Sequence, residues 1–258
     1  TNMLDRLEQR GYGLIELDMH SALSGDEHRG NKIDNDFINK YTQEKGIRLY
    51  TPDQHEDIIA NAKEKYGHNI YGINFANGKG HGVNFMFARN NIPFVSGITG
   101  ADDKESELVK LIEENKVPAV IDKNMHPALN VLSAMFNYAA ENYEAALKGW
   151  GGTGVETHQE SKSDPVSGTL IKWAKCLEKI GVNLELYNGA RNIPAGHGDH
   201  HINMVSNDAS TRIHISTEVT GRKDYSVGTV DFALPYLMEM RNNNEYGVRN
   251  MQQVLHKK

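Results

Sequence analysis

The run Val155–Thr169, VETHQESKSDPVSGT, ends in a Ser-Gly-Thr turn and passes straight into a segment with Leu170, Trp173, Ala174 and Leu177 at helical spacing. It reads as a loop that closes on a helix N-terminus. A helix start offers backbone N–H groups without intrahelical acceptors and the positive end of the helix dipole. Ser167, Gly168 and Thr169 are therefore a candidate cradle for an anion, a carboxylate or a phosphate. Upstream lies His158, of the residue type best suited to proton donation near neutrality, and Lys162 adds positive charge and donors beside it. Taken singly, Ser167 is a helix cap, Gly168 a turn residue and His158 a surface histidine. Together they describe an acid next to an anion clamp.

The rest of the chain bounds what such a site can serve. With 258 residues, 38% hydrophobic and 24% charged, the composition is that of a globular protein large enough for two domains. No apolar run reaches the length of a membrane span, and the polar stretch Thr1–Arg10 carries no signal-peptide core. A cytoplasmic or plastid-stromal location is expected, with no membrane partner. Cys176 is the single cysteine, so no intramolecular disulfide can form. The formal charge of -6 argues against a nucleic-acid partner, because binding one needs a surplus of Lys and Arg to displace counterions.

N-terminal to the motif, short apolar runs alternate with helical ones. Met3–Gln9 reads as a helix, and Leu14–Leu17 as a strand closing on Asp18, where a dinucleotide-binding domain holds the adenosine ribose. Ile47–Tyr50 is a strand, Glu56–Tyr66 a helix, and Tyr71–Phe75 a strand whose end places Phe75 where ligands bind in such sheets. Strand Phe94–Ser96 leads into the turn Gly97-Ile98-Thr99-Gly100, and strand Pro118–Ile121 leads into Lys123-Asn124-Met125-His126. A dinucleotide fold opens with a strand and a Gly-rich turn, whereas this chain opens in what reads as the following helix. The expectation is that the natural start lies outside the given sequence, or that the cofactor site is altered.

Leu129, Leu132, Phe136, Ala139 and Tyr143 line one face of a long helix at the domain crossing, and Gly149–Gly154 reads as a flexible lead-in to the motif. Beyond the motif helix, Leu184–Leu186, Ile202 and Met204, and Ile213, Ile215 and Val219 suggest strands, the last two forming a hairpin around Asn207-Asp208. Val230, Ala233, Leu234, Leu237 and Met238 face one way on a last helix. The expected class is α/β. A Rossmann-like, doubly wound dinucleotide-binding domain (1–128 and 229–258) is joined to an α+β substrate and tetramerisation domain with a mostly antiparallel sheet (129–228). A cleft between the two is expected to take the substrate.

The central run resembles the signature of the dihydrodipicolinate reductase family. In that signature a glutamate, a histidine pair, a lysine four positions after the first histidine and D-A-P-S-G-T follow in order. Here the match is Glu156, His158, Lys162, Asp164, Ser167, Gly168 and Thr169. Gln159 stands where the second histidine is expected, and Asp-Pro-Val replaces Asp-Ala-Pro. The turn Gly97–Gly100 is similar to the family's G-T-T-G, and Lys123–His126 fall at its A-N-F-S, with His126 in place of the serine. Asn74 and Ala76 depart from its Asp-Phe-Thr. Thr220-Gly221-Arg222 through Gly228 resembles S-S-R-x-x-F-A-x-G.

The resemblance implies an NAD(P)H-dependent oxidoreductase of lysine and diaminopimelate biosynthesis that reduces a cyclic imine or enamine dicarboxylate of the dihydrodipicolinate type. His158 would donate the proton, assisted by Lys162. Gln159, Ser167, Gly168, Thr169 and Arg222 would hold the small dicarboxylate substrate. Asp18, Phe75, Gly97, Ile98, Thr99, Lys123, Asn124 and His126 would hold NADH or NADPH, with Asn124 orienting the nicotinamide carboxamide. No metal is implied, and the assembly would be a homotetramer. Three other readings stand beside it: a related reductase of a different imine, a metal-dependent hydrolase using His197, Asp199 and His200, and a non-catalytic relative that binds a nucleotide or dicarboxylate.

Overall fold

Phe94-Val95-Ser96 and Pro118-Ala119-Val120 are buried at every position, because the sheet that contains them is covered on both faces. Successive side chains of a strand point to opposite faces. Phe94 and Ala119 accordingly enter a core with Phe85, Leu108 and Ile112. Their neighbours Val95 and Val120 enter another with Leu234, Leu237 and Met251.

The computed structural model describes residues 3–13, 17–18, 39–40, 43, 49–50, 54–75, 80–98, 104–158, 166–190, 193 and 198–256. In chain order the elements are α1 (Met3–Gln9), β1 (Leu17–Asp18), β2 (Leu49–Tyr50), α2 (His55–Tyr66), β3 (Gly72–Asn74), α3 (His81–Arg89), β4 (Phe94–Ser96), α4 (Glu105–Glu114) and β5 (Pro118–Ile121). There follow α5 (Pro127–Asn142), β6 (Trp150–His158), α6 (Gly168–Lys179), β7 (Val182–Asn188), β8 (Gly198–Val205) and β9 (Arg212–Val219). Helix α7 (Lys223–Val227), a π-helical turn (Gly228–Ala233), α8 (Leu234–Asn242), β10 (Gly247–Arg249) and α9 (Met251–Leu255) close the chain. They divide into two compact units, Thr1–Met125 with Tyr225–Lys258, and His126–Asp224.

In the first unit a four-stranded sheet runs in the order β10-β5-β4-β3 with every pairing parallel, and β1 pairs with β2, also in parallel. The last strand therefore returns to the sheet that the first part of the chain builds. The π-helical turn is tied to α1 by Asp231, which takes hydrogen bonds from Arg6 and from Arg10, the latter at 2.9 Å. Under the carboxyl ends of β3 and β4 a chain of buried amides and a hydroxyl links the elements. Asn74 Nδ2 donates to Gly80 O (3.0 Å) and to Asn84 Oδ1 (2.8 Å), and Asn84 Nδ2 donates to Ser96 Oγ (2.9 Å).

In the second unit the sheet order is β7-β6-β8-β9, parallel between β6 and β7 and antiparallel at the other two pairings. The α/β class with one parallel and one mostly antiparallel sheet is the one the sequence predicts. Helices α5 and α6 pack together through Phe136 and Trp173, whose ring centroids are 5.6 Å apart. Trp173 Nε1 donates to Ser133 Oγ (2.7 Å), which in turn donates to Leu129 O (2.8 Å). The β8–β9 hairpin turns at Asp208, whose carboxylate accepts from Ser206 Oγ and Ser210 Oγ, each at 2.7 Å.

The motif's surroundings differ from the sequence expectation in one respect. Gly151–Gly154 are no flexible lead-in, and Val155–His158 are no loop: all lie in β6. The strand is hydrogen-bonded to β7 on one side and β8 on the other, so ladders from both neighbours fix a backbone whose glycines alone suggest freedom.

His81, at the start of α3, is only 6% exposed, meets Phe85 edge-on at 5.3 Å, and has no hydrogen-bond partner for either ring nitrogen among the described residues. A buried polar group left without partners costs about 1–3 kcal/mol, and an apolar residue of similar shape removes that cost. His81→Leu is expected to hold or raise the melting temperature in a thermal melt of the ligand-free protein. A drop of several degrees would mean that the imidazole has a partner.

Candidate active site

Period-two alternation along β6 puts Glu156 and His158 on the same face. The antiparallel register with β8 sets Glu156 opposite His200 and His158 opposite Gly198. The ring of His158 lies over Gly198, where a Cβ would come within 2.8 Å of its Nδ1 and Cε1, so the position needs a glycine for the imidazole to stand there. Helix α6 covers this face. Trp173 meets the His200 ring at 5.3 Å, and the rings of His158 and His200 are edge to face, also at 5.3 Å.

Glu156 is fully buried. Its Oε1 accepts the backbone N–H of Ser167 at 2.8 Å, and its Oε2 lies 3.5 Å from His158 Nε2 and 4.0 Å from His200 Nε2. At 3.5 Å the His158 contact is long for a hydrogen bond. Burial opposes the carboxylate's charge most strongly. Hydrogen bonding from His158 and from the Ser167 hydroxyl and N–H, with the His158 charge, outweighs it and brings the Glu156 carboxyl down to about 2. His200 is held in turn by Thr217 Oγ1, 3.2 Å from its Nδ1, and its Nε2 lies 3.5 Å from Ser167 Oγ.

Ser167 caps α6, its Oγ accepting from Leu170 N at 3.2 Å. Its hydroxyl and N–H are thus both engaged within the protein, and the anion at this helix start is the chain's own Glu156. Sequence reading assigned the Ser167 donors to a substrate carboxylate. Strand β6 delivers an internal carboxylate to them first. Gly168 and Thr169 form the first turn of the helix.

The remaining predicted site residues fall in separate places. In the first unit Phe75 is exposed at the end of β3 and its ring packs on Gly97, leaving no room for a Cβ there. Gly97 N donates to Asn74 O at 2.9 Å, and Ile98 is buried. Asn124 N donates to Asp122 Oδ1 at 2.9 Å, and Asp122 Oδ2 accepts Met251 N at 3.0 Å, so this turn is fixed to α9; Lys123 is exposed. Asp18 ends β1. In the second unit His126, expected at the cofactor, is buried and caps α5 through Nδ1, and its Nε2 lies 3.4 Å from Asp224. Burial lowers the pKa of His126, while the Asp224 charge raises it less. Arg222 is exposed in the turn after β9. Thr99, Gln159, Lys162, Asp164 and His197 lie outside the described residues.

The hydrolase constellation does not form at Asp199 and His200. They are neighbours on β8 and point to opposite faces, so only His200 turns to α6. It joins Glu156 and His158 instead, and one ligand atom from each of the three lies within 4.8 Å of the others. The grouping is not legible while Val155–His158 read as a loop. Taken as a strand, their period of two would have paired Glu156 with His158.

Because the Glu156 carboxyl titrates below its ordinary 4.5 in the folded state, its contribution to stability is full above that value and is lost as pH falls toward about 2. Glu156→Gln is expected to lower the melting temperature at neutral pH, with the gap from the unaltered protein narrowing from about pH 4.5 downward. Thermal melts across that range test this, and a gap that stays constant would refute the assignment.

No family model matches the chain. It is 28% identical over 227 residues to the chloroplastic 4-hydroxy-tetrahydrodipicolinate reductase 2 of Arabidopsis thaliana, covering 82% of this chain and 64% of that protein. It is 25% identical over 225 residues to the probable chloroplastic 4-hydroxy-tetrahydrodipicolinate reductase 2 of Oryza sativa subsp. japonica, covering 81% and 68%. The chain thus spans a little under two thirds of the Arabidopsis relative's length. Among solved structures, the dipicolinate-bound dihydrodipicolinate reductase of Paenisporosarcina sp. TG-14 matches with a TM-score of 0.63 at 14% identity, over 99% of this chain and 96% of that one. By sequence the chain is related to the reductases that its central motif resembles, and by fold it is similar to a solved one. Among the described residues no helix is long and apolar enough to cross a membrane.

Proposed function

We propose that this chain is an NAD(P)H-dependent reductase of a cyclic imine or enamine dicarboxylate of the dihydrodipicolinate type, acting in lysine and diaminopimelate biosynthesis. The observation that carries the reading is the buried Glu156 beside His158 at the start of α6, inside a run that resembles the reductase family's signature, in a chain 28% identical to a protein named 4-hydroxy-tetrahydrodipicolinate reductase. The dipicolinate in the solved relative is a planar dicarboxylate of the same chemical class.

The first unit fits a nicotinamide at the carboxyl edge of its parallel sheet. The exposed ring of Phe75 on Gly97 offers a flat apolar surface there, and the turn at Asn124, anchored by Asp122, adds an amide that can pair with a carboxamide. Ile98, Thr99 and Lys123 complete this site in the proposal, with Asp18 on the adenosine ribose. A bound NADH or NADPH supplies the hydride.

His158 supplies the proton that completes reduction of the C=N or conjugated system, so that one hydride and one proton are added and the dinucleotide leaves oxidised. Nε2 of His158 faces Glu156. Nδ1 is then the nitrogen that carries the proton to the substrate, and the ionised Glu156 provides the countercharge for the imidazolium. Lys162 stabilises negative charge developing on the substrate. One substrate carboxylate is taken by the first-turn N–H groups of Gly168 and Thr169, the other by Arg222. Gln159 in place of a second histidine can donate a hydrogen bond without charge, which favours weaker carboxylate binding or a related imine as substrate.

Assembly as a homotetramer and a cytoplasmic or plastid-stromal location belong to the same proposal; sedimentation tests the first. The relatives from Arabidopsis and rice are named chloroplastic.

The decisive assay condenses pyruvate and aspartate semialdehyde with a separate synthase and follows nicotinamide absorbance as this chain is added. Oxidation of NADH or NADPH is expected. His158→Ala should cut turnover by about two to four orders of magnitude with the dissociation constant for the dinucleotide unchanged. Turnover that survives His158→Ala would remove His158 from the mechanism.

A further inference from the structure

Two imidazoles and a carboxylate that converge in a buried place form a donor set of a recognisable kind. Ligand bonds of about 2.0–2.1 Å in a tetrahedral zinc site put neighbouring donor atoms roughly 3.4 Å apart. His158 Nε2 and Glu156 Oε2 are 3.5 Å apart, His200 Nε2 and Glu156 Oε2 are 4.0 Å apart, and all three atoms lie within 4.8 Å of one another. Small side-chain rotations would bring the set around one ion.

The outer atoms of two ligands are already oriented. Glu156 Oε1 is held by the Ser167 N–H, and His200 Nδ1 by Thr217 Oγ1 at 3.2 Å. Partners of this kind fix the rings and carboxylates of metal sites. Trp173 closes one side with an apolar wall. His158 Nε2 is buried, and among the described residues its polar neighbour is Glu156 Oε2 at 3.5 Å, a separation that suits two ligands of one ion better than a direct hydrogen bond. Two imidazoles with a single carboxylate suit zinc or another late first-row cation rather than magnesium or calcium, which prefer all-oxygen sets.

We propose that Glu156, His158 and His200 bind a zinc-type divalent cation, and that the bound cation inhibits the reduction. The inhibitory half rests on the proton-donor role given to His158 above; the binding half does not. A cation on Nε2 prevents the ring from becoming an imidazolium, and release of its Nδ1 proton would leave an imidazolate. The ring then holds its proton too tightly to pass it to the substrate, while binding of the dinucleotide in the other unit is untouched.

The test is a titration of the full, tag-free chain with Co2+ followed by visible absorption. One Co2+ per chain with the intense bands of a four-coordinate ion is expected, bleached by an equivalent of Zn2+. His200→Gln should weaken binding by at least about 100-fold, and Thr217→Val, which keeps all three ligands, by about 10-fold. Either variant suffices should the other fail to fold. Only pale bands of a hydrated ion, or equal Co2+ affinity in the unaltered chain and both variants, would overturn the site. In the reductase assay, Zn2+ should abolish turnover over the same concentrations that bleach cobalt, and full turnover with the site saturated would overturn the inhibitory role. The absorption titration reads the site even for a chain with no reductase activity, so failure of the two proposals can be told apart.

Discussion

A carboxylate with no exposed surface is the constraint around which the second unit is built. Moving Glu156 out of water is costly, and the cost is tolerable only where partners surround the charge. One partner is the first turn of α6, through the Ser167 N–H at 2.8 Å and the positive end of the helix dipole. The others are the imidazoles of His158 on the same strand and His200 on the strand alongside. Satisfying this one charge therefore fixes where α6 begins, which face of β6 it covers, and how β8 is registered against β6. Loss of a partner from a buried pair of this kind typically costs about 3–5 kcal/mol, so the arrangement is enforced by stability as well as by chemistry.

The same contacts explain why the site is packed as it is. Trp173, one turn and a half along α6 from its cap, fills the space between the helix and His200, and its indole N–H is committed to Ser133 of α5. Gly198 gives the His158 ring its room. Glu156, His158 and His200 thus rest on two strands packed against α6, which holds their geometry against thermal motion.

The first unit answers to a different constraint. The strands of its main sheet are short, three or four residues, and the two central ones are buried on both faces. At their carboxyl ends the Asn74, Asn84 and Ser96 chain satisfies polar groups that would otherwise be stranded under the sheet edge. The polar groups at the carboxyl edge are thereby satisfied without loss of packing below it.

How much of this was legible beforehand depends on the range of the interaction. Pro118–Ile121 and Phe94–Ser96 were readable as strands, α6 as an amphipathic helix, Ser167 as its cap and Asn207-Asp208 as a hairpin turn, because periodicity and turn chemistry are properties of adjacent residues. The resemblance of the central motif to a reductase family was likewise a property of the chain alone. The strand identity of Gly151–His158 was not readable, since glycines weaken every local signal and the strand exists by virtue of ladders to β7 and β8. Nor were the meeting of Glu156 with His200, the turning away of Asp199, or the capping of α5 by His126. Each of these depends on register and packing between segments distant in sequence, and a one-residue shift in that register would place the opposite set of side chains on the face beneath α6.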